Sequence, residues 1–322
     1  MLKLIDLDPE SYQPHRLHTQ ERDWAETNCY VDIWIELLKA MGHEPLAALP
    51  FTLGIDFEGD QWTFFKFPLA DLYELYGLDV QEMAVWRPLT SHIEEQLRGN
   101  KPVLVELDSF CLPDTEGSAY KIAHVKSTVA ITHFDMQNQR MGYFHGQGYY
   151  ELEGQNFRDV FYLDSPDPAR LPPYVEIVKS RWAAPLSEQQ ILNTSFGLLK
   201  KQMQLVPQQN PFTAFIPRFE EDLEWLMGAD LELFHQYSFA TFRQFGACYE
   251  LAANYLGWLG DNGIKNMDKA QQSVKSISEL SKVYQFQLAR AMSRKKELDL
   301  SPVRQMAEHW EIAIDQLKQH TK

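Results

Sequence analysis

The chain reads as an α/β domain of the α+β kind followed by a helical-bundle domain, and three observations predict this. Short apolar runs of strand character interleave with helical segments over the first half of the chain. A 3.6-residue periodicity takes over beyond residue 185. Between them lies a proline-rich stretch, Asp164-Ser165-Pro166-Asp167-Pro168 and then Pro172-Pro173, which can continue neither a helix nor a central strand. The domains are therefore drawn at 1–178 and 179–322.

Taken in order, the first element is a helix opening at Cys29. Thr27 or Asn28 is its N-cap, Tyr30, Trp34, Leu37, Leu38 and Met41 recur at helical spacing, and Gly42 stops it. The aromatic run Gln61 to Phe67 suits a strand, Leu69 to Tyr76 a helix ended by Gly77, and Leu89 to Leu97 a helix closed by Gly99-Asn100. Pro102 to Leu107 has the pattern of a buried strand, and the polar loop Asp108 to Gly117 follows with its Leu112-Pro113-Asp114 turn. Ala123 to His133 then alternates as a strand, Asp135 to Gln139 turns, and Arg140 to Tyr150 returns as the partner strand. In the second domain, helices are expected at Ser187 to Leu205, Pro217 to Met227, Asp230 to Leu259, Asn266 to Leu298 and Ser301 to Lys318. There is no internal repeat.

Composition narrows the function. The 322 residues carry a formal charge of −15, which argues against a nucleic-acid partner or an anionic membrane surface. No run of eighteen apolar residues occurs, and charge interrupts Met1 to Asp8 too early for a signal-peptide core, so a soluble cytoplasmic protein is expected. Three cysteines without a Cys-x-x-Cys spacing support neither a disulfide framework nor a thiolate zinc site.

The chemistry is expected at Cys29. A thiol at the first helical position feels the positive end of the peptide dipoles and the unpaired N–H groups, which favour thiolate and can hold an oxyanion. His124, opening a strand downstream, is the candidate base. For the third group the hairpin register decides: His145 is favoured, with Glu151 and Asp135 as alternatives. Asn28, Asp108, Tyr120, Lys126 and Tyr149 are candidates to line the substrate cleft. On the long second-domain helix His235, Phe239, Arg243, Gly246, Glu250 and Asn254 form one stripe. It reads either as an Arg243–Glu250 network or as a face on which Arg243 takes a substrate carboxylate or phosphate. A metal site from His124, His133, Asp135 and His145 is the rival chemistry, but its spacing matches no ligand motif and strand parity separates His124 from His133. No metal and no bound cofactor are expected.

The segments Leu107 to Thr115, Tyr120 to Lys126, Gly142-Tyr143-Phe144-His145 with Gly148-Tyr149-Tyr150, and Phe239 to Gly246 resemble a bacterial family of unknown function. Its members are often encoded near carrier proteins and amino acid:carrier-protein ligases. More distantly the chain is similar to acyltransferases of the butirosin biosynthesis protein H type. In these a papain-like cysteine domain moves an aminoacyl group from a carrier-protein thioester to an amine. That resemblance implies a papain-like fold, Cys29 as nucleophile and His124 as base. It implies an acyl or aminoacyl carrier protein as partner, its phosphopantetheine arm as substrate carrier, and a small-molecule amine or hydroxyl as acceptor. The chain departs from the pattern at two places: Asp23 stands where papain-like enzymes carry a Gln, and Phe144-His145-Gly146 stands where an acid follows. The alternatives are a cysteine hydrolase (amidase, thioesterase or peptidase) and a non-catalytic carrier-protein-binding partner of the same fold.

Overall fold

A computed structural model describes residues 2–19, 22–24, 26–165 and 171–321. Pro166, Asp167 and Pro168 of the expected boundary lie outside the described residues. Two compact units emerge. The first comprises Met1–Thr19, Asn28–Pro45 and Leu69–Pro185, and the second Gln20–Thr27, Leu46–Pro68 and Leu186–Lys322.

The first unit is built on one antiparallel sheet. Its strands are β1 (Leu2–Lys3), β2 (Leu78–Glu82), β3 (Val103–Asp108), β4 (Lys126–Asp135), β5 (Arg140–His145), β6 (Gly148–Glu153) and β7 (Val175–Ser180). They run in the order β2-β7-β3-β4-β5-β6, with β1 added to β4. Period-two alternation gives the sheet two buried faces. On one, Val103, Val105, Leu107, Val129, Ile131, Tyr143 and Leu152 pack with Ile93 and Leu97 of helix α3 (Leu89–Arg98) and with Phe157 of α4 (Gly154–Val160). On the other lies α1 (Cys29–Ala40), against β4 and β5. Helix α1 is buried over most of its length, the carboxylates of Asp32 and Glu36 included, and Asn28 caps it by accepting the Val31 N–H at 2.9 Å. Helix α2 (Leu69–Tyr76) precedes β2 and ends at Gly77, whose φ of 67° is left-handed.

Three expectations are corrected here. Strand β4 begins at Lys126 rather than Ala123, so His124 lies in the preceding segment. The return strand is two strands, β5 and β6, because the chain turns again after His145 through left-handed Gly146. The aromatic run Gln61 to Phe67 makes a single bridge, Phe57 to Trp62, and no strand. It belongs to the second unit, where the Trp62 ring packs at an angle against Phe212, Phe215 and Phe245.

The second unit is helical: α5 (Glu188–Gln202), α6 (Pro211–Leu226), α7 (Leu231–Ser238), α8 (Gln244–Asp261), α9 (Asp268–Arg294) and α10 (Ser301–His320). Helix α6 starts six residues before the expected Pro217, because Asn210 caps the Phe212 N–H with Pro211 at the first turn, and Pro217 is carried inside the helix. The single helix expected from Asp230 to Leu259 is α7 and α8 joined by a π-helical turn at Phe239–Arg243. Among the described residues no helix is long and apolar enough to cross a membrane.

Candidate active site

Cys29 occupies the first position of α1, half-buried, and its thiol meets the Thr128 hydroxyl at 3.7 Å. Thr128 points to the α1 face of β4, away from Val129 and Ser127. Asn28 spends its side-chain oxygen on the cap.

His124 turns elsewhere. Its Nδ1 lies 2.7 Å from Asp108 Oδ2 at the end of β3, its ring stacks on Phe110 with centroids 4.4 Å apart, and its side chain is 74% exposed. Asp108 also accepts the Phe110 N–H at 3.1 Å and the Tyr162 hydroxyl at 3.2 Å. Burial works against the charge of Asp108, but these hydrogen bonds, that of His124 foremost, outweigh it and hold the carboxyl below its ordinary value. In the register Thr128 stands opposite Glu106, and Lys126 opposite Asp108. Two residues, roughly 7 Å along the strands, separate those pairs.

His145 is the larger surprise. As the last residue of β5 it projects to the face of Tyr143, opposite to Cys29. Its Nε2 is 2.6 Å from Ser127 Oγ, and its Nδ1 donates to Asp114 Oδ2. The Tyr143 hydroxyl donates to the other oxygen of Asp114, and burial together with that carboxylate pushes the phenol well above its ordinary value. Asp114 sits in a 3-10 turn, Pro113–Thr115, pinned by the Thr115 hydroxyl to the carbonyls of Ser109 at 2.9 Å and Leu112 at 2.8 Å. With a carboxylate, which can only accept, at Nδ1, the ring proton belongs on that nitrogen, and Nε2 faces the serine hydroxyl. Hydroxyl, base and orienting acid are in hydrogen-bond contact, the arrangement that nucleophilic acyl transfer requires. The expected role of His145 beside His124 is corrected accordingly: both ring nitrogens of His145 are taken, and Asp108 orients His124.

The remaining candidates disperse. Tyr120 donates to Asn156 Oδ1 at 3.0 Å, and the exposed Lys126 pairs with Glu106 at 2.7 Å. Tyr149 is buried against Phe144 and Tyr12. The four residues of the rival metal site separate as well: His133 faces Glu151 at 3.6 Å, Asp135 accepts from Asn138, and His124 and His145 go to different carboxylates. In the second unit Glu250 pairs with Arg22 at 2.8 Å and accepts the N–H groups of Asp23 and Trp24, replacing the expected Arg243 partnership. Arg243 lies over the Phe239 ring and 3.7 Å from Glu26. Ser127 and Asp114 escape a reading of the sequence because one is a strand residue among Lys, Thr and Val, and the other a turn former. Their only signal is the Leu112-Pro113-Asp114 turn preceding a strand-borne serine.

A unit built on an antiparallel sheet and holding a hydrogen-bonded Ser127–His145–Asp114 cluster, together with a mainly helical unit, is the class that fold and site define. The chain belongs to the DUF1839 family, a family of unknown function: the DUF1839 N-terminal domain covers residues 13–180 and the DUF1839 C-terminal domain residues 188–319. Comparison with curated proteins finds no match.

Proposed function

We propose that the first unit is an acyl-transfer enzyme in which Ser127 is the nucleophile, His145 the general base and acid, and Asp114 the group that orients the imidazole. The observation that carries the reading is the 2.6 Å contact of Ser127 Oγ with His145 Nε2, with the Nδ1–H of the same ring given to Asp114. Ser127 Oγ attacks the acyl carbon while His145 Nε2 takes its proton, and the leaving thiol or alcohol receives that proton as the acyl-enzyme forms. His145 then deprotonates the acceptor, which attacks the ester, and Ser127 recovers its proton from the imidazolium. Asp114 stabilises that imidazolium and keeps the proton on Nδ1. The register sets Ser127 opposite Leu107, and Leu107 lines a cavity of about 960 Å³ in the same unit. The donor is an acyl or aminoacyl thioester on a carrier protein's phosphopantetheine arm, and the acceptor a small-molecule amine or hydroxyl. Water as acceptor gives a hydrolase.

A second reading retains Cys29, and the pair His124–Asp108 favours it. Asp108 holds His124 Nδ1, so Nε2 is the atom offered to a thiol or a substrate at the end of the strand pair whose Thr128 meets Cys29. One measurement separates the readings. Intact-mass analysis and peptide mapping after incubation with acyl-thioesters and with a fluorophosphonate should find the adduct on Ser127. It should be lost in Ser127→Ala and His145→Ala and kept in Cys29→Ser. An adduct on Cys29 transfers the assignment to the cysteine. No adduct on either leaves a non-catalytic, carrier-protein-binding role.

A further inference from the structure

The cavity of about 960 Å³ in the first unit has apolar walls, among them Trp86, Leu89, Phe161, Leu171 and Pro172, and three charged residues, Arg87, Glu106 and Asp108. Two of those charges are already engaged. Glu106 accepts from Lys126 Nζ at 2.7 Å, and Asp108 accepts from His124, Tyr162 and the Phe110 N–H. Arg87 is different. Its Nε is buried with no hydrogen-bond partner, and no described carboxylate lies within ion-pair distance of its guanidinium. Its guanidinium carbon lies 5.4 Å from the centroid of the Trp86 ring. The cation is felt nearby: burial and then the charge of Arg87 lower the pKa of His92.

Arg87 is half-buried with its Nε withdrawn from water, a donor that is costly to leave unpartnered, and the planar fork matches carboxylate and phosphate oxygens. The cavity volume suits a small molecule. We infer that this cavity is a binding site for an apolar molecule bearing one terminal anion, carboxylate or phosphate, with the anion on Arg87 and the apolar body against Leu89, Phe161 and Leu171. The site requires no chemistry at Ser127, and a Ser127→Ala protein binds as the wild type does.

Calorimetric titration of the full-length protein with octanoate, octyl phosphate and 1-octanol tests this. At least one anion should bind tenfold or more tightly than the alcohol, and the tighter of the two identifies the headgroup. Arg87→Gln should lose at least tenfold for that anion while its affinity for the alcohol stays unchanged. Arg87→Lys, which keeps the charge but not the fork, should lose several-fold and serves if the Gln variant does not fold. Equal affinity for the alcohol and both anions, no binding of either anion, or anion affinity untouched in the Arg87 variants overturns the assignment. Repeating the titration in Ser127→Ala separates failure of this site from failure of the acyl-transfer reading.

Discussion

Removing the Ser127 hydroxyl deletes one atom and leaves the strand ladder intact, so Ser127→Ala should fold normally and lose acyl-transfer activity by about 10³-fold or more. Asp114→Asn should act through His145: it reverses the donor pattern at Nδ1 and should lower kcat by about 10²-fold or more with a smaller effect on KM. Kinetics on a reactive acyl ester check both, and an unchanged kcat in either variant removes that residue from the mechanism. His18 offers a stability test in the same unit. Buried between Asp32 and Glu36, its charge is opposed by burial, yet the two carboxylate hydrogen bonds prevail and raise its pKa to about 9. Because that value lies above the unfolded value of about 6.5, the stabilisation is complete below that pH and disappears as pH rises through the folded pKa. Removing His18 at pH 6 strands two buried carboxylates and should cost about 3 kcal/mol. Urea midpoints for wild type and His18→Gln should therefore converge between pH 6.5 and 9.5, and parallel curves would contradict the assignment. None of this was legible residue by residue: Asp32 and Glu36 look like the solvated face of a helix until His18, Tyr12 and the His15 N–H close on them.

Among the elements, α1 was the most legible, since its cap, its apolar spacing and its first residue all stand in one local stretch. Asn28→Ala should cost about 1 kcal/mol of stability by orphaning the Val31 N–H, read as a lower thermal midpoint. Helix α8 shows what periodicity alone leaves out. The stripe from Gly246 to Asn254 has the spacing of a functional face, yet a Cβ at Gly246 would lie 2.2 Å from Ser281 Oγ and 2.8 Å from Trp24 Cζ2. Two packed elements thus meet at that glycine, and Gly246→Ala should destabilise by about 1–3 kcal/mol in denaturant titration. A neutral result would mean that Ser281 and Trp24 relax at no cost. The hairpin strands were legible as alternating runs, but their ends were not. His124 reads as the start of β4 by sequence, whereas pairing with β3 begins at Lys126 and releases the imidazole to Asp108.

At the scale of the whole molecule, the compact units do not follow the chain in one piece: Leu46–Pro68 precedes most of the sheet in sequence yet belongs with the helices. Truncation after residue 185 would strip Trp62 of Phe212, Phe215 and Phe245, leaving an aromatic cluster uncovered. Such a fragment should bind a hydrophobic dye and elute as aggregates in gel filtration, and a monomeric, dye-silent fragment would refute this. By itself the amino-acid order determined what is local and periodic: an α+β half and a helical half, the capped helix at Cys29, and most of the strands. Those features depend on neighbours within a few residues, so short-range spacing encodes them. Tertiary structure alone decided which side chains share a site. Ser127, His145 and Asp114 meet because strand register and a pinned turn bring distant residues to one face, and a shift of one residue in that register would have sent Ser127 to the side of Cys29.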